Sequence, residues 1–318
     1  MAKFQKILLL GFNESNLGEG EWKRIDKLGK VKVLLAKDSP EIPVHLANAD
    51  CLLVKLGATV DKAMMDKAQS LKYIGMFGTG YGRIDAKYAA SKGIAVCNIA
   101  GYSTEGVAEL AFALILEYLR EVSRAKTQAQ AGDYSESSFT KGTELLGKTF
   151  GIIGLGRIGS RIGEIASNGF NANVVYWSRN RKKKYEKTGF RYKTVTDLLK
   201  ESDFISLNLA YVPETKSFLN SDRIKSIKPG AVLISLSQNE LIDLSAIEQR
   251  LAKKDITFIM DHSDELTADQ ARELAKYENC LMYPPIGYVT LEATKAKLKM
   301  FVDNLENYLS GKPSNKVN

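Results

Sequence analysis

Residues 150–159 constrain the fold most. They read Phe-Gly-Ile-Ile-Gly-Leu-Gly-Arg-Ile-Gly, so an apolar strand runs directly into the spacing G-x-G-x-x-G, and a helix is expected over Ile158–Ala166. In such a turn the first glycine permits a tight bend, the second lets the backbone approach a pyrophosphate, and the third allows close helix–strand packing. The helix N-terminus adds unpaired N–H groups and a positive dipole. The alternative is a glycine-rich turn used only for packing. We predict a dinucleotide site that includes Gly154, Gly156, Arg157, Ile158 and Gly159.

Short apolar runs alternate with amphipathic stretches on both sides of this turn, which predicts parallel, helix-covered sheets. A length of 318 residues favours two domains. We expect a domain of residues 1–101 and 288–318, interrupted by a dinucleotide-binding domain of residues 102–287. The last helix, Glu292–Leu309, would return to the N-terminal sheet. The strands are expected at Ile7–Leu10, Val31–Leu35, Cys51–Lys55, Tyr73–Met76, Ala95–Cys97, Phe150–Ile153, Asn173–Trp177, Phe204–Leu207, Val232–Leu236, Ile256–Met260 and Cys280–Met282.

One long helix is predicted from Thr104 to about Gly132, where glycine ends it. Its middle is apolar nearly all round, so it must be buried on several sides, at a domain junction or a subunit interface.

Composition excludes several classes of protein. The longest apolar stretch, Val107–Leu119, is short and contains two glutamates, so no membrane span is expected. No secretory leader is recognisable, because the first apolar run has five residues and is typical of a strand. The three cysteines are expected to be reduced and buried, and we infer a cytoplasmic location. No metal site is predicted. The net charge of +8 favours anionic partners only mildly.

The strand after the glycine turn leads into Ser178-Arg179-Asn180-Arg181. A carboxylate at this place would accept the ribose 2′-hydroxyl of NAD, and none is present. Arginine side chains hold phosphate by bidentate, charge-assisted hydrogen bonds. We therefore predict NADP(H) in preference to NAD(H), with these four residues around the 2′-phosphate. The alternative is a solvated basic turn. A nucleic-acid surface is disfavoured because no aromatic residues are interleaved.

Seven segments, read in order, follow the pattern of a known family: Leu71–Gly75, Gly78–Asp85, Gly93–Asn98, Tyr102–Glu109, Gly147–Gly159, Pro213–Thr215 and Ile227–Ala231. They make the chain similar to the D-isomer-specific 2-hydroxyacid dehydrogenases, which include phosphoglycerate, glyoxylate and hydroxypyruvate reductases. The resemblance covers roughly residues 50–295. It implies an α/β fold of two Rossmann-like parallel-sheet domains with a cleft between them, a flavodoxin-like substrate domain, and a homodimer formed through the cofactor domains.

The resemblance also implies roles for individual residues. The loop of Lys55 and Gly57 would meet the substrate carboxylate, although Lys55 has the alternative of an ordinary solvated lysine. Asp261 would hold the nicotinamide carboxamide, with a helix cap or turn as the alternative. The next substrate loop would consist of Gly78, Thr79 and Gly80. The remaining cofactor contacts would be Thr104, Leu209 and Ala210.

Two departures from the family pattern decide what chemistry can be expected. The family's Asn-Thr-Ala-Arg-Gly, whose arginine binds the substrate carboxylate, is here Ser-Leu-Ser-Gln-Asn, with Gln238 at the arginine position. The family's Thr-Pro-His-Ile-Gly, whose histidine protonates the new alkoxide, is Tyr-Pro-Pro-Ile-Gly, with Pro285 at the histidine position. Glu265, the expected partner of that histidine, has no obvious imidazole beside it. Loss of such a general acid typically costs about 10²–10⁴ in rate.

We expect Lys55 and Gln238 to orient a substrate, and the substitute acid to be His262 or a tyrosine (Tyr81, Tyr283 or Tyr288). For each of these the alternative is a packing role. Two hypotheses remain: an oxidoreductase that reduces a small carbonyl compound with altered catalytic residues, and a non-catalytic relative that binds NADP(H) as a sensor or scaffold. Standard 2-hydroxyacid dehydrogenase turnover is not expected.

Overall fold

The structure is a computed structural model that describes residues 3–55, 57–137, 139 and 142–318. The chain divides into two compact units in this described part. Unit 1 consists of Met1–Tyr102 and Leu291–Asn318, and unit 2 of Ser103–Thr290. From the sequence, these junctions are expected after Gly101 and Gly287.

The elements are numbered along the chain. The strands are β1 Phe4–Leu10, β2 Gly29–Leu35, β3 Cys51–Val54, β4 Tyr73–Met76, β5 Ala95–Cys97, β6 Thr149–Ile153, β7 Asn173–Trp177, β8 Arg191–Tyr192, β9 Phe204–Leu207, β10 Ala231–Ser235, β11 Ile256–Met260 and β12 Cys280–Met282. The helices are α1 Glu19–Leu28, α2 Ile42–Leu46, α3 Lys62–Lys67, α4 Ala86–Ser91, α5 Thr104–Arg120, α6 Val122–Gln130, α7 Arg157–Phe170, α8 Lys183–Glu186, α9 Val195–Glu201, α10 Ser221–Lys225, α11 Leu244–Ala252, α12 Ala268–Leu274 and α13 Leu291–Leu309.

Unit 1 is built on a parallel sheet whose strand order, over the described residues, is β2-β1-β3-β4-β5. Strand β3 reads Cys-Leu-Leu-Val and is buried along its whole length, as expected for a strand covered on both faces. Two apolar clusters lie in this unit. One of them includes Phe301, Val302 and Leu305 of α13, so the predicted return of the last helix to the N-terminal sheet is confirmed.

Unit 2 also has a parallel sheet, and its described strands follow the order β12-β11-β10-β9-β6-β7-β8. Strand β6 is flanked by β7 and β9, and the strand order reverses there. In open α/β sheets ligands bind beside the carboxyl ends of strands at such a reversal. The predicted fold class, two Rossmann-like parallel-sheet α/β domains, is confirmed. The short edge strand β8 was not predicted, because two residues carry no periodic signal.

The single long helix predicted from Thr104 was wrong. It is two helices, α5 and α6, separated at Glu121, whose φ of 48° is left-handed. The physical reason is burial. Helix α5 contributes Phe112 and Ile115 to a core cluster, whereas α6 has no buried residue to keep it in line with α5. The Glu117 carboxylate accepts a hydrogen bond from the Ser123 N–H at 3.0 Å, across the break.

The three cysteines are buried and unpaired, as predicted, and burial raises the pKa of the Cys280 thiol to about 12. Every helix within the described ranges is too short or too polar to cross a bilayer.

Candidate functional site

The glycine turn joins the carboxyl end of β6 to the start of α7. The Gly154 N–H donates to the carbonyl of Trp177 at 2.8 Å, at the end of β7. On the other side, the Asn208 N–H donates to the carbonyl of Ile153 at 2.8 Å. The structure therefore brings the turn together with the two segments predicted to contact the cofactor, residues 178–181 and 209–210.

The three glycines of the turn differ in what a Cβ at each position would contact. Gly154 has a φ of +96°, and a Cβ there would lie 2.6 Å from the carbonyl oxygen of Asn208. A Cβ on Gly159 would lie 2.1 Å from the oxygen of Gly154. Gly156 is exposed, and a Cβ on it would meet no described atom within 4 Å. Protein packing requires Gly154 and Gly159, while the bare backbone at Gly156 is open to a ligand. Helix α7 begins at Arg157, with Ile158 half-buried behind it.

The basic segment after β7 is only partly available to a phosphate. The Ser178 hydroxyl donates to the carbonyl of Asn180 at 2.7 Å, which shapes the turn. Arg181 forms a bidentate pair with Glu186 of α8, with Nε–Oε1 and Nη2–Oε2 distances of 2.7 and 2.8 Å. That hydrogen-bonded pair lowers the pKa of Glu186. Arg179 is exposed and has no side-chain partner among the residues described.

Glu186 is not among the residues predicted from the sequence, because a carboxylate is expected only in β7 and the turn directly after it. It carries no sequence signal beyond its five-residue separation from Arg181.

The remaining predicted cofactor contacts also lie at strand or helix ends in unit 2. Leu209 is half-buried, and its Cδ2 lies 2.9 Å from the place of a Gly154 Cβ. The Ala210 carbonyl accepts from the Thr215 hydroxyl at 2.8 Å. Thr104 is the first residue of α5.

Asp261 directly follows β11 and is 2% exposed. Its Oδ2 accepts the Gly287 N–H at 3.2 Å, and a Cβ on Gly287 would make a tight contact of 3.0 Å with that oxygen. Its Oδ1 is buried and has no hydrogen-bond partner in the described part of the chain. Burial raises the pKa of this carboxyl, against the lowering effect of the His262 charge. A buried acceptor without a donor fits an amide N–H from a ligand.

His262 lies among carboxylates. Its Nδ1 is 3.5 Å from Glu265 Oε1 and its Nε2 is 3.7 Å from Asp261 Oδ1. Burial would lower the pKa of the imidazole, but the hydrogen bond with Glu265 and the charges of Asp261 and Asp264 raise it overall. The expectation that Glu265 lacks an imidazole was wrong: a 3-10 turn over Ser263–Glu265 folds the carboxylate back onto the ring of His262.

Glu265 also fixes the segment that contains Gln238. Its Oε2 accepts the Asn239 N–H at 2.9 Å, and the Asn239 amide donates to the carbonyl of His262 at 2.7 Å. Gln238 is half-buried directly before this contact, and Pro285 is half-buried after β12. Asn239 was not predicted as a site residue, because the family pattern has glycine there.

The three tyrosines considered as acids have different surroundings. Burial raises the pKa of Tyr288, and the charges of Asp264 and Asp261 raise it further. Burial also raises the pKa of Tyr283, which packs on an apolar cluster of unit 2. Tyr81 packs on an apolar cluster of unit 1.

The predicted substrate loops lie in unit 1, at the carboxyl ends of β3 and β4. The Lys55 ammonium donates to Asn16 Oδ1 at 3.2 Å. Gly57 is exposed with a φ of +91°. The Thr79 hydroxyl donates to the carbonyl of Ile99 at 2.8 Å, and the Gly78 carbonyl accepts the Ile99 N–H at 2.9 Å, while Gly80 is half-buried after them.

No group of three or more His, Cys, Asp or Glu side chains could hold a metal ion in the described ranges.

The comparisons with known proteins indicate one family. The family model "D-isomer specific 2-hydroxyacid dehydrogenase, NAD binding domain" matches residues 112–287. The chain is 32% identical to a glyoxylate reductase of Thermococcus litoralis, over 96% of each chain. It is also 32% identical to a glyoxylate reductase of Pyrococcus furiosus, over 83% of this chain and 80% of the relative.

Solved structures match over the whole chain. An acyclic imino acid reductase in complex with NADPH and D-Arg is 27% identical, with a TM-score of 0.86 over 99% of this chain and 100% of that one. A D-lactate dehydrogenase from Aquifex aeolicus, complexed with NAD and lactic acid, has a TM-score of 0.85 over 96% of each chain. At 24% identity the latter shows the fold alone.

Proposed function

Because the chain belongs to the D-isomer-specific 2-hydroxyacid dehydrogenase family, we propose that it is an NADP(H)-dependent oxidoreductase with altered catalytic residues, which reduces a small carbonyl compound or the imine derived from one. The observation that carries the proposal is the buried Oδ1 of Asp261, which accepts no hydrogen bond in the described part of the chain and has His262 Nε2 at 3.7 Å. An acceptor of this kind is costly unless a donor reaches it, and the nicotinamide carboxamide supplies such a donor.

The preference for NADP(H) rests on Arg179. No carboxylate stands in residues 178–181, and Arg179 is exposed and able to form charge-assisted hydrogen bonds with a 2′-phosphate. Arg181, held by Glu186, adds positive charge but has fewer donors to offer. A relative of similar fold was solved with NADPH, which supports the same choice.

Each part of the site has a task in this proposal. The bound cofactor would supply a hydride. The turn from Gly154 to Gly159 would bind its pyrophosphate through backbone N–H groups, and Asp261 would orient the nicotinamide. Lys55 and Gln238 would orient the substrate. His262, with Glu265 at its Nδ1, would hold a proton near the reacting atoms.

The substrate class follows from Pro285. Hydride addition to a ketone produces an alkoxide that must receive a proton, and proline has none to give. An iminium substrate already carries that proton: hydride adds to carbon, the π electrons return to nitrogen, and a neutral amine results. A protonated imine therefore needs no general acid at position 285. The similarity to a structure named as an acyclic imino acid reductase supports this choice. We propose small 2-imino acids as the favoured substrates and 2-oxo acids as the poorer ones.

The assay that tests this measures NADPH oxidation with glyoxylate, pyruvate and hydroxypyruvate, each with and without methylamine, which forms the imine in solution. Faster oxidation with the amine is the expected result. Oxidation of glyoxylate alone, at a rate the amine does not raise, would contradict the imine assignment.

A non-catalytic NADP(H) sensor or scaffold is the second candidate, because Gln238 and Pro285 replace both reactive family residues together. It predicts tight NADPH binding by calorimetry with no oxidation on any member of the panel.

We propose further that the chain forms a homodimer through unit 2. Helix α6 buries none of its residues, and exposed apolar side chains lie at its first residue and after it in the sequence: Val122, Tyr134 and Leu146. A second copy of the chain would cover this surface. Sedimentation of a single species with twice the mass of 35.2 kDa is the expected result, and a monomer at micromolar concentration would refute the dimer.

A further inference from the structure

Lys297 of α13 is a half-buried cation in unit 1. Its ammonium lies 4.1 Å from the centroid of the Phe77 ring and 5.8 Å from that of Tyr102. Both distances are in the range of cation–π attraction. The contact with Phe77 locates the ammonium, because Phe77 directly precedes the loop of Gly78, Thr79 and Gly80 at the carboxyl end of β4.

Lys55 contributes a second positive charge at the same end of this sheet. It directly follows β3, the neighbour of β4, and donates to the neutral amide oxygen of Asn16. Burial lowers the pKa of Lys297, and the like charge of Lys55 lowers it further. Two half-buried ammonium groups that repel each other cost free energy, and an anion held by both would offset that cost.

The position fits a ligand site on general grounds. Open parallel sheets bind ligands beside the carboxyl ends of their strands. Lys55 and the Gly78–Gly80 loop lie at these ends, and α13 brings Lys297 to the same place from a distant part of the sequence. At the position where family members have an arginine, this chain has the uncharged Gln238, so another cation must balance a substrate carboxylate.

We propose that Lys297, together with Lys55, forms the binding site for the carboxylate of the substrate and that Lys297 is a specificity-determining residue. The inference rests on the proposed function in that it takes the substrate to be a small acid. It adds that the required positive charge comes from unit 1. Neutral carbonyl compounds and esters should therefore be poor ligands.

The test is calorimetric titration of the full chain with oxamate, a small unreactive carboxylate, in the presence of saturating NADP⁺. Lys297→Met should weaken oxamate binding about 10- to 100-fold, the loss expected for one charge-assisted hydrogen bond. Lys297→Arg, which keeps the charge, should retain most of the affinity. Lys295→Met is the matched control, because it removes the same charge from an exposed position of the same helix and should change affinity less than twofold.

Three outcomes would overturn the proposal: no oxamate binding by the parent protein, a Lys297→Met variant that binds as tightly as the parent, or an equal loss in Lys295→Met.

Thermal melting distinguishes a loss of oxamate binding from a loss of folding, since removal of a desolvated charge should leave the melting temperature of Lys297→Met unchanged or higher. Failure of the proposed function has a different signature: oxamate binding lost in Lys297→Met, with no NADPH oxidation by the parent on any substrate. If turnover is present, Lys297→Met should raise KM far more than it lowers kcat.

Discussion

Glu265 and His262 form a carboxylate–imidazole pair, with Oε1 3.5 Å from Nδ1. The second oxygen of Glu265 accepts the Asn239 N–H at 2.9 Å. One side chain thus connects the imidazole to the segment that carries Gln238. Glutamate paired to histidine is also what the resemblance implies for the family, but here the histidine is three residues earlier in the chain instead of at position 285.

The stability of the protein should depend on the charge of His262. Its folded-state pKa is raised above the unfolded value of 6.5 by Glu265, Asp261 and Asp264, despite burial. The native state therefore binds more protons just above pH 6.5, and its extra stability, complete below that pH, is lost as the pH rises through the folded-state pKa. Urea unfolding across this range should show a falling free energy of unfolding, and His262→Gln should remove this part of the slope. His45→Gln is the control that should keep it. An unchanged slope in His262→Gln would contradict the pairing.

Substitutions at two glycines of the turn should have different effects, one on NADPH binding and the other on the stability of the fold. Gly156→Asp should abolish NADPH binding, because its carboxylate would occupy the place of the pyrophosphate, yet no described atom lies within 4 Å of its Cβ and the melting temperature should change little. Gly159→Ala should instead destabilise the protein, because its Cβ would lie 2.1 Å from the Gly154 oxygen. Calorimetry and thermal melting measure the two effects. NADPH binding by Gly156→Asp at parental affinity would show that the site lies elsewhere.

Arg179 and Arg181 should contribute unequally to cofactor selectivity. Arg179→Ala should weaken NADPH binding about 10- to 100-fold while NADH binding stays nearly constant, since only NADPH carries the 2′-phosphate. Arg181→Ala should have a smaller effect on that ratio, because Arg181 is already paired with Glu186. Dissociation constants for both cofactors provide the measurement. Equal losses of NADH and NADPH in Arg179→Ala would refute its role.

Asp261→Asn should weaken cofactor binding without loss of stability. The amide can still accept the Gly287 N–H through one atom, but it then presents an N–H group where the buried Oδ1 now lies. Since a desolvated carboxyl is replaced by a neutral group, the apo protein should melt at the same temperature or higher. A fall in melting temperature with unchanged NADPH affinity would indicate a purely structural role for Asp261.

The sequence was informative where the signal is local. The glycine turn, the buried strands and the C-terminal helix each follow from residues within one element, and most predicted strands begin or end within a few residues of the observed ones. The relationships that define the chemistry are not local in this sense. Glu186 reaches Arg181 only because α8 turns the chain back, and Glu265 reaches His262 through a 3-10 turn with no periodic signature.

Contacts between individual side chains of distant elements could not be predicted from the sequence, although the return of the last helix to the N-terminal sheet was. Lys297 meets Phe77 because α13 packs on the sheet of unit 1, and nothing in the spacing of its lysines distinguishes it from the exposed Lys295. The break at Glu121 had the same cause, because the continuation of a helix depends on whether a core is present to bury its next turn.

Unit 2 is one continuous stretch of chain, whereas unit 1 is completed by residues that follow unit 2 in the sequence. During synthesis on the ribosome, Ser103–Thr290 is available in full before α13 exists. Until α13 is synthesised, the sheet of unit 1 lacks Phe301, Val302 and Leu305, and part of its apolar face is uncovered. A nascent chain arrested after Thr290 would thus combine a complete unit 2, which binds the nucleotide, with an incomplete unit 1. At this stage the chain would expose the most apolar surface for a chaperone to bind.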